Sequence, residues 1–355
     1  MTLGITAITP VIIVAAILGV ALNAYALLAG ADFGGGVWDL LAAGSRRDRQ
    51  RALIAHAIGP IWEANHVWLI IVVVVMFTCF PPAIADLSIV LHIPITIMLI
   101  GIVLRGSAFT FRAYDTTHAP VQRRWGLVFS LASVVTPVML GIIVGAIASD
   151  DVGTIIAQPR GSFVDIYVLP WCTPWGIAIG ALALALFAFL AAVYLTVEAE
   201  NANDLDLEDD FRRRALEAAA AVIIIAWIAI YEARHTVPRV YATLMASPYA
   251  LPLQIATALA GLLAILALIR RRYRIARIAA AAEVSLVIWG WLLTQYPYII
   301  PPSLTLSAAA APRETLRAVI GAIAVGAVIL FPSLWYLFGV FKGGDSAFDH
   351  VERGH

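Results

Sequence analysis

The sequence predicts an all-α integral membrane protein of about nine transmembrane helices, and three observations predict it. First, 62% of the 355 residues are hydrophobic and only 13% are charged, whereas a soluble globule carries about 25% charged residues. Mean hydropathy is +0.91. So few charges cannot cover a water-facing surface, and lipid must face much of the chain. Second, the apolar residues gather into runs that reach the roughly 20 residues needed to cross a bilayer. Third, arginine is abundant in alternate connections between those runs.

The runs fall at 8–31, 57–80, 83–108, 124–148, 168–196, 214–233, 250–270, 274–297 and 315–341. The first lacks a basic leader and is long enough to span the membrane, unlike a cleaved signal peptide. The second carries Trp62, Glu63, Asn65 and His66 ahead of a clean apolar stretch from Val67 to Phe80, and Pro81-Pro82 makes a short turn into the third. The connections after runs one, three, five and seven, with the C-terminal tail, hold seventeen basic residues, from Arg46, Arg47, Arg49 and Arg51 onward, against five in the others. Basic loops stay cytoplasmic, so the expected N-terminus is outside and the C-terminus inside, as an odd number of spans requires. The acidic stretch from Glu198 to Asp210 reads as the longest cytoplasmic connector. It divides one membrane domain into a half at about 1–200 and a half at 201–355, giving two helix bundles plus one extra helix.

Several functions are excluded. Formal net charge is zero and no basic arm is present, so no nucleic-acid partner is expected. Cys79 and Cys172 form no Cys-x-x-Cys pair, which argues against a disulfide framework or a thiolate metal site. Nucleophile-elbow, zinc-protease and phosphate-loop signatures are all absent, so neither a catalytic group nor a metal ligand set is expected in this chain.

Polar residues at membrane depth are costly and mark functional paths. The sharpest cluster is Trp62-Glu63-Ala64-Asn65-His66-Val67-Trp68. On a continuous helix Glu63 and His66 share a face with Trp62, and Asn65 and Trp68 share the next. A carboxylate beside an imidazole relays protons; equally, such a patch docks one helix on another. Asp32, in Gly30-Ala31-Asp32-Phe33-Gly34-Gly35-Gly36, reads either as a helix-ending turn with an interfacial acid or as a functional one. Arg105 pairs with Asp32 or Glu63, or snorkels to lipid phosphates. Glu283, His56, Asp86 and His92 read as interfacial or packing positions.

These residues together resemble subunit II of the cytochrome bd-type quinol oxidases. Trp62 to Ile70 resembles that family's Trp-Asp/Glu-x-Asn-x-Val-Trp-Leu block, Gly30 to Gly36 its glycine-rich acidic turn, Arg105 to Arg112 its Arg-x-x-x-Phe-x-x-Arg stretch, and Tyr296 to Ser303 its aromatic-Pro-aromatic turn. The chain departs from the pattern at Ala29, where an Asp is frequent, at Glu63, where many members have Asp, and at His66, which is often Gln or Glu. The resemblance implies a multi-pass subunit in a bacterial or archaeal cell membrane, part of an oxidase that oxidises quinol and reduces dioxygen to water. It implies that haem b and haem d-type groups reside in a partner, subunit I, and that this chain binds none, holding at most a structural quinone or lipid. Glu63 then carries protons, Asp32, Arg105 and His66 line the path, and Trp62, Asn65 and Trp68 position it. A proton-coupled transporter is the competing expectation, and a purely structural scaffold is a third.

Overall fold

The computed structural model describes residues 9–58, 62–114 and 119–342. The helices are α1 (Pro10–Leu40), α2 (Arg47–Ile58), α3 (Trp62–Asn65), α4 (Val67–Cys79), α5 (Pro81–Val90), α6 (His92–Tyr114), α7 (Ala119–Ala148), α8 (Asp150–Ala157), α9 (Phe163–Tyr167), α10 (Pro174–Asn201), α11 (Leu205–Thr236), α12 (Pro238–Ala246), α13 (Ala250–Ile269), α14 (Tyr273–Gln295), α15 (Leu306–Ala309) and α16 (Arg313–Lys342). Between α14 and α15 lies a small antiparallel pair, β1 (Tyr298–Ile300) and β2 (Leu304–Thr305), an addition to the all-helical expectation. Among the described residues, eight helices are long and apolar enough to cross a membrane, and α4 with α5 makes a ninth, broken candidate.

Local chemistry sets the helix starts. Thr9 caps α1, Thr173 caps α10 and Asp204 caps α11, each side chain accepting a backbone N–H three residues on. Pro10 and Pro174 fill first-turn positions, where the missing N–H costs nothing. The second and third runs are cut more finely than expected. α5 leaves α4 at 113° because Pro81 and Pro82 open a new helix. Pro94 cannot donate to the carbonyl four residues earlier, and the chain turns at Leu91 before α6 begins.

Three further expectations are corrected. The glycine run does not end the first helix: α1 continues through it to Leu40. Its glycines form a contact stripe. A Cβ at Gly30 would lie 2.7 Å from the Phe187 ring, one at Gly35 would lie 2.6 Å from Cδ1 of Ile58, and those at Gly34 and Gly36 would fall on the Phe187 carbonyl and the Ser133 side chain. Small residues let backbones approach where no hydrophobic force separates helix from lipid. Second, the acidic stretch is not a long connector. α10 and α11 enclose only residues 202–204, and most of the acids lie on helix. They bind the arginines after α1: Arg46 holds Asp210 at 2.6 Å, and Arg49 holds Asp204 at 2.6 Å and Asp206 at 3.3 Å. Third, the second run is not one helix, since α2 ends at Ile58 and His66 is a turn between α3 and α4.

α10 is the central strut. It packs on α1, α7, α11 and α14, and Leu186 to Val193 is a continuous buried run. The main core gathers α1 from Tyr25 to Trp38 with α2, α7, α10, α11, α13 and α14. A second core at the opposite end joins Val14 of α1 to Val75, Met76 and Cys79 of α4, so those two helices run antiparallel. α16 stands outermost, with Val328, Trp335 and Tyr336 largely exposed.

Two outcomes follow from this packing. Gly34→Ala should destabilise the fold by about 1–3 kcal/mol, the range for overpacking a close contact, seen as a lower thermal midpoint of the detergent-solubilised protein. The hydrogen bond from Arg49 holds the Asp204 carboxyl below its ordinary value. A carboxylate depressed in the folded state stabilises above its unfolded pKa, about 3.9, and that contribution is lost as pH falls through the folded value. Thermal midpoints measured from pH 7 downward should therefore drop more steeply on acidification in the parent than in Asp204→Asn.

Candidate functional site

Asp32 lies inside α1, about two turns before its end, and is buried. Asn65, the last residue of α3, donates from Nδ2 to Asp32 Oδ2 at 2.5 Å. The one-turn α3 thus pins its C-terminal end to the acid on α1. Arg105 of α6 is 2% exposed, so it does not snorkel to lipid. Its guanidinium carbon stands 4.8 Å from the Phe33 ring centre and 5.1 Å from that of Phe129, and Nε donates to Ser133 Oγ at 3.2 Å. Asp32 and Tyr25 both act on its charge. A buried guanidinium between two aromatic faces is a cation–π arrangement, and the nearby acid offsets part of the cost of desolvation.

His66 half-buries its ring against Tyr25, at 5.9 Å between centres, and against Phe33, at 6.3 Å and edge-on. Because His66 sits in a turn between α3 and α4, the expected sharing of one continuous helical face with Trp62 and Glu63 is interrupted. The backbone of α3 carries Trp62 and Glu63 beside α1; their side chains lie outside the described residues. Trp68 packs against the main core from α4. The structure therefore joins Asp32, Asn65, Arg105 and His66 around Tyr25 and Phe33.

Other sequence candidates lie apart. Glu283 is half-buried on α14 against Gly261 of α13, where a Cβ would be 3.0 Å from its Oε1. His92 engages the Ile89 carbonyl at 2.9 Å and packs edge-on against Tyr167. His56 is exposed on α2.

Sequence reasoning missed four participants. Tyr25 and Phe33 form the wall of the site, Ser133 holds Arg105, and Asp39 is buried seven residues beyond Asp32. The heptad spacing of the two aspartates was a readable signal; hydroxyls and aromatics in an apolar helix carry none.

The His66 ring packs against Tyr25 and Phe33, and among the described residues no three His, Cys, Asp or Glu side chains cluster as metal donors.

The family model described as cytochrome bd terminal oxidase subunit II matches residues 10–341. A Bacillus subtilis (strain 168) chain, provisionally assigned as a cytochrome bd menaquinol oxidase subunit II, is 21% identical over 333 residues, covering 89% of this chain and 91% of that one. Subunit 2 of the cytochrome bd-I ubiquinol oxidase of Escherichia coli (strain K12) is 24% identical over 219 residues, covering 60% of this chain and 54% of that one. In fold, the chain is similar to one in the bd oxidase of Geobacillus thermodenitrificans, with a TM-score of 0.77 at 22% identity, covering 95% of this chain and 99% of that chain.

Removing the buried charge tests the geometry. Arg105→Ala should cost about 3–5 kcal/mol, because it strips Asp32 of a nearby positive charge and empties the space between two rings. Arg105→Lys keeps the charge but loses the planar stack, and its thermal midpoint should fall between those of Ala and the parent.

Proposed function

The chain belongs to the cytochrome bd terminal oxidase subunit II family, and from that premise we propose that its buried polar block delivers protons to the oxygen-reducing centre of a bd-type quinol oxidase. The observation that carries this reading is Asp32, a carboxylate buried inside a membrane bundle and held by Asn65 beside the buried Arg105. Intramembrane carboxylates are kept where charge must move.

The complex oxidises quinol and passes its electrons to dioxygen, and the water formed requires one proton for each electron. The haems that supply this redox chemistry are held by the partner, subunit I. In this chain Asp32 and Glu63 take up and release protons at their carboxylate oxygens. Asn65 fixes the Asp32 carboxylate, and Arg105 holds positive charge close enough to keep that carboxylate available in an apolar surround. Trp68 and His66 wall the block and limit water. The arginine-rich end faces the cytoplasm, from which the protons come. The half at 1–200 contains the block, and the half at 201–355 abuts it along α10 and α11. The exposed apolar faces of α4, α6 and α16 meet subunit I and lipid, with a structural quinone as a further occupant.

Quinol-driven oxygen uptake by the purified complex tests the proposal. Asp32→Asn and Glu63→Gln should each slow turnover on the order of a hundredfold, the lower end of what a positioned acid or base contributes, with haem content retained. Unchanged rates in both would make the block a packing device, and lost haem would make it a scaffold for the partner.

A further inference from the structure

The connection between α13 and α14 is only residues 270–272. It belongs to a basic run of Arg270, Arg271, Arg272, Arg274 and Arg277, with no acid anywhere in 250–282. Arg271 has φ 55°, a left-handed conformation that favours glycine. Its side chain explains the exception: Nη1 donates to Glu208 Oε1 at 3.1 Å, and Nη2 stands 2.9 Å from Asp209 Oδ1. The tip of the hairpin is thereby tied to α11. Tyr273 donates from its hydroxyl to the same Glu208 oxygen at 2.6 Å. The Arg277 guanidinium carbon lies 4.6 Å from the centre of the Tyr194 ring on α10. Arg271 and Arg277 are thus engaged within the chain. Arg270, Arg272 and Arg274 are exposed, and among the described residues none of them makes an ion pair.

Two bare apolar rails lead to these cations. On α13, Leu259, Leu263 and Leu266 are exposed and reach Arg270 by steps of four, three and four residues, so all four lie on one face. On α14, Arg274 stands one turn before Ile278, which is 72% exposed. From Leu259 to Arg270 is eleven residues, about 16 Å of helix. The hydrocarbon core of a bilayer is about 30 Å thick, so the α13 rail has the depth of one leaflet. The bland reading of the run is topological, since arginine collects beside spans on those grounds alone. That reading does not account for cations left without acids. At the same end of the molecule Arg46 and Arg49 are paired with Asp210, Asp204 and Asp206. An aliphatic rail of leaflet depth that ends at unpaired guanidinium groups matches a lipid in length and an anion in charge.

We infer that the α13–α14 hairpin is a binding site for an anionic phospholipid. Its phosphate is held by Arg270, Arg272 and Arg274, and its acyl chains lie along the leucines of α13 and Ile278 of α14. The planar guanidinium fork matches phosphate oxygens two at a time. Basic clusters at the end of a span attract anionic headgroups, each cation adding about a fivefold gain in affinity. The clamp from Arg271 to Glu208 and Asp209 fixes the tip, so the three free arginines are held together before the lipid arrives. The site is independent of the proton-delivery reading, because the hairpin shares no residue with the block around Asp32.

The test uses the whole complex, purified in detergent and titrated with phosphatidylglycerol or phosphatidylcholine of matched chains. Native mass spectrometry reads the lipid retained. The parent should hold its tightest-bound phosphatidylglycerol in preference to phosphatidylcholine. Arg270→Gln combined with Arg274→Gln should weaken phosphatidylglycerol binding on the order of twentyfold, about fivefold for each arginine, and leave phosphatidylcholine binding unchanged. Arg313→Gln combined with Arg317→Gln, on α16 at the other end of the bundle, should preserve the preference. Glycerol 3-phosphate at the same concentration should not displace the lipid. Equal retention of the two lipids by the parent would overturn the inference, and so would an equal loss in both arginine pairs. Displacement by glycerol 3-phosphate would overturn it too, by making this a site for soluble phosphates. If the double variant does not assemble, Arg274→Gln alone decides: a loss of about fivefold supports the site, and parental affinity overturns it.

Discussion

A single buried guanidinium organises this end of the molecule. Arg105 lies inside an apolar bundle, where an uncompensated charge is among the costliest things a fold can hold. Its surroundings answer that cost from two helices at once: Asp32 and the Phe33 ring from α1, and the Ser133 hydroxyl and the Phe129 ring from α7, around a side chain that arrives on α6. Each partner must lie within a few ångströms of the guanidinium. The three helix backbones are therefore fixed relative to one another by electrostatics as much as by packing.

That constraint explains why the glycine stripe of α1 is where it is. For Ser133 to reach Arg105, α7 must come close to α1, and Gly36 is the residue that allows it. On the opposite face, Gly30 and Gly34 admit Phe187 of α10, so α1 is gripped between α7 and the central strut. With α1 held this way, Asn65 on the short α3 reaches the same acid, and the chain can turn at His66 into α4. At the arginine-rich end, the ion pairs from Arg46 and Arg49 to the acids at the start of α11 tie the connection after α1 to the far side of the bundle. The choice between an oxidase subunit and a transporter, open while only the intramembrane acids were considered, closes on the family match along nearly the whole chain.

Much of this was legible in one dimension. Apolar runs of spanning length gave the helices, because the bilayer demands that every backbone polar group be satisfied within a segment. Asp32, Arg105, Asn65 and His66 stood out because each is expensive in lipid. Errors arose where sequence signals have two physical outcomes. A run of glycines suits a turn, and it equally suits a helix pressed against a neighbour; the Phe187 carbonyl and the Ser133 side chain decided for the helix. An acidic stretch suits a solvated linker, and it equally suits a helix start paired with arginines more than 150 residues away in the chain. Pro94 and the Pro81-Pro82 pair were visible, but the 113° turn between α4 and α5 depends on where each helix finds its packing.

By itself, then, the sequence determined the solvent, the apolar runs long enough to cross it and the few polar residues that had to find one another, since transfer costs into lipid depend on residue type and run length alone. Only the tertiary structure decided which of them met. Tyr25, Ser133 and the buried Asp39 were absent from the sequence reading as participants because a hydroxyl or a phenol acquires its role from what stands within 3 Å or so of it. That distance is set by the approach of α1, α6 and α7, which no local pattern in any one of the three encodes.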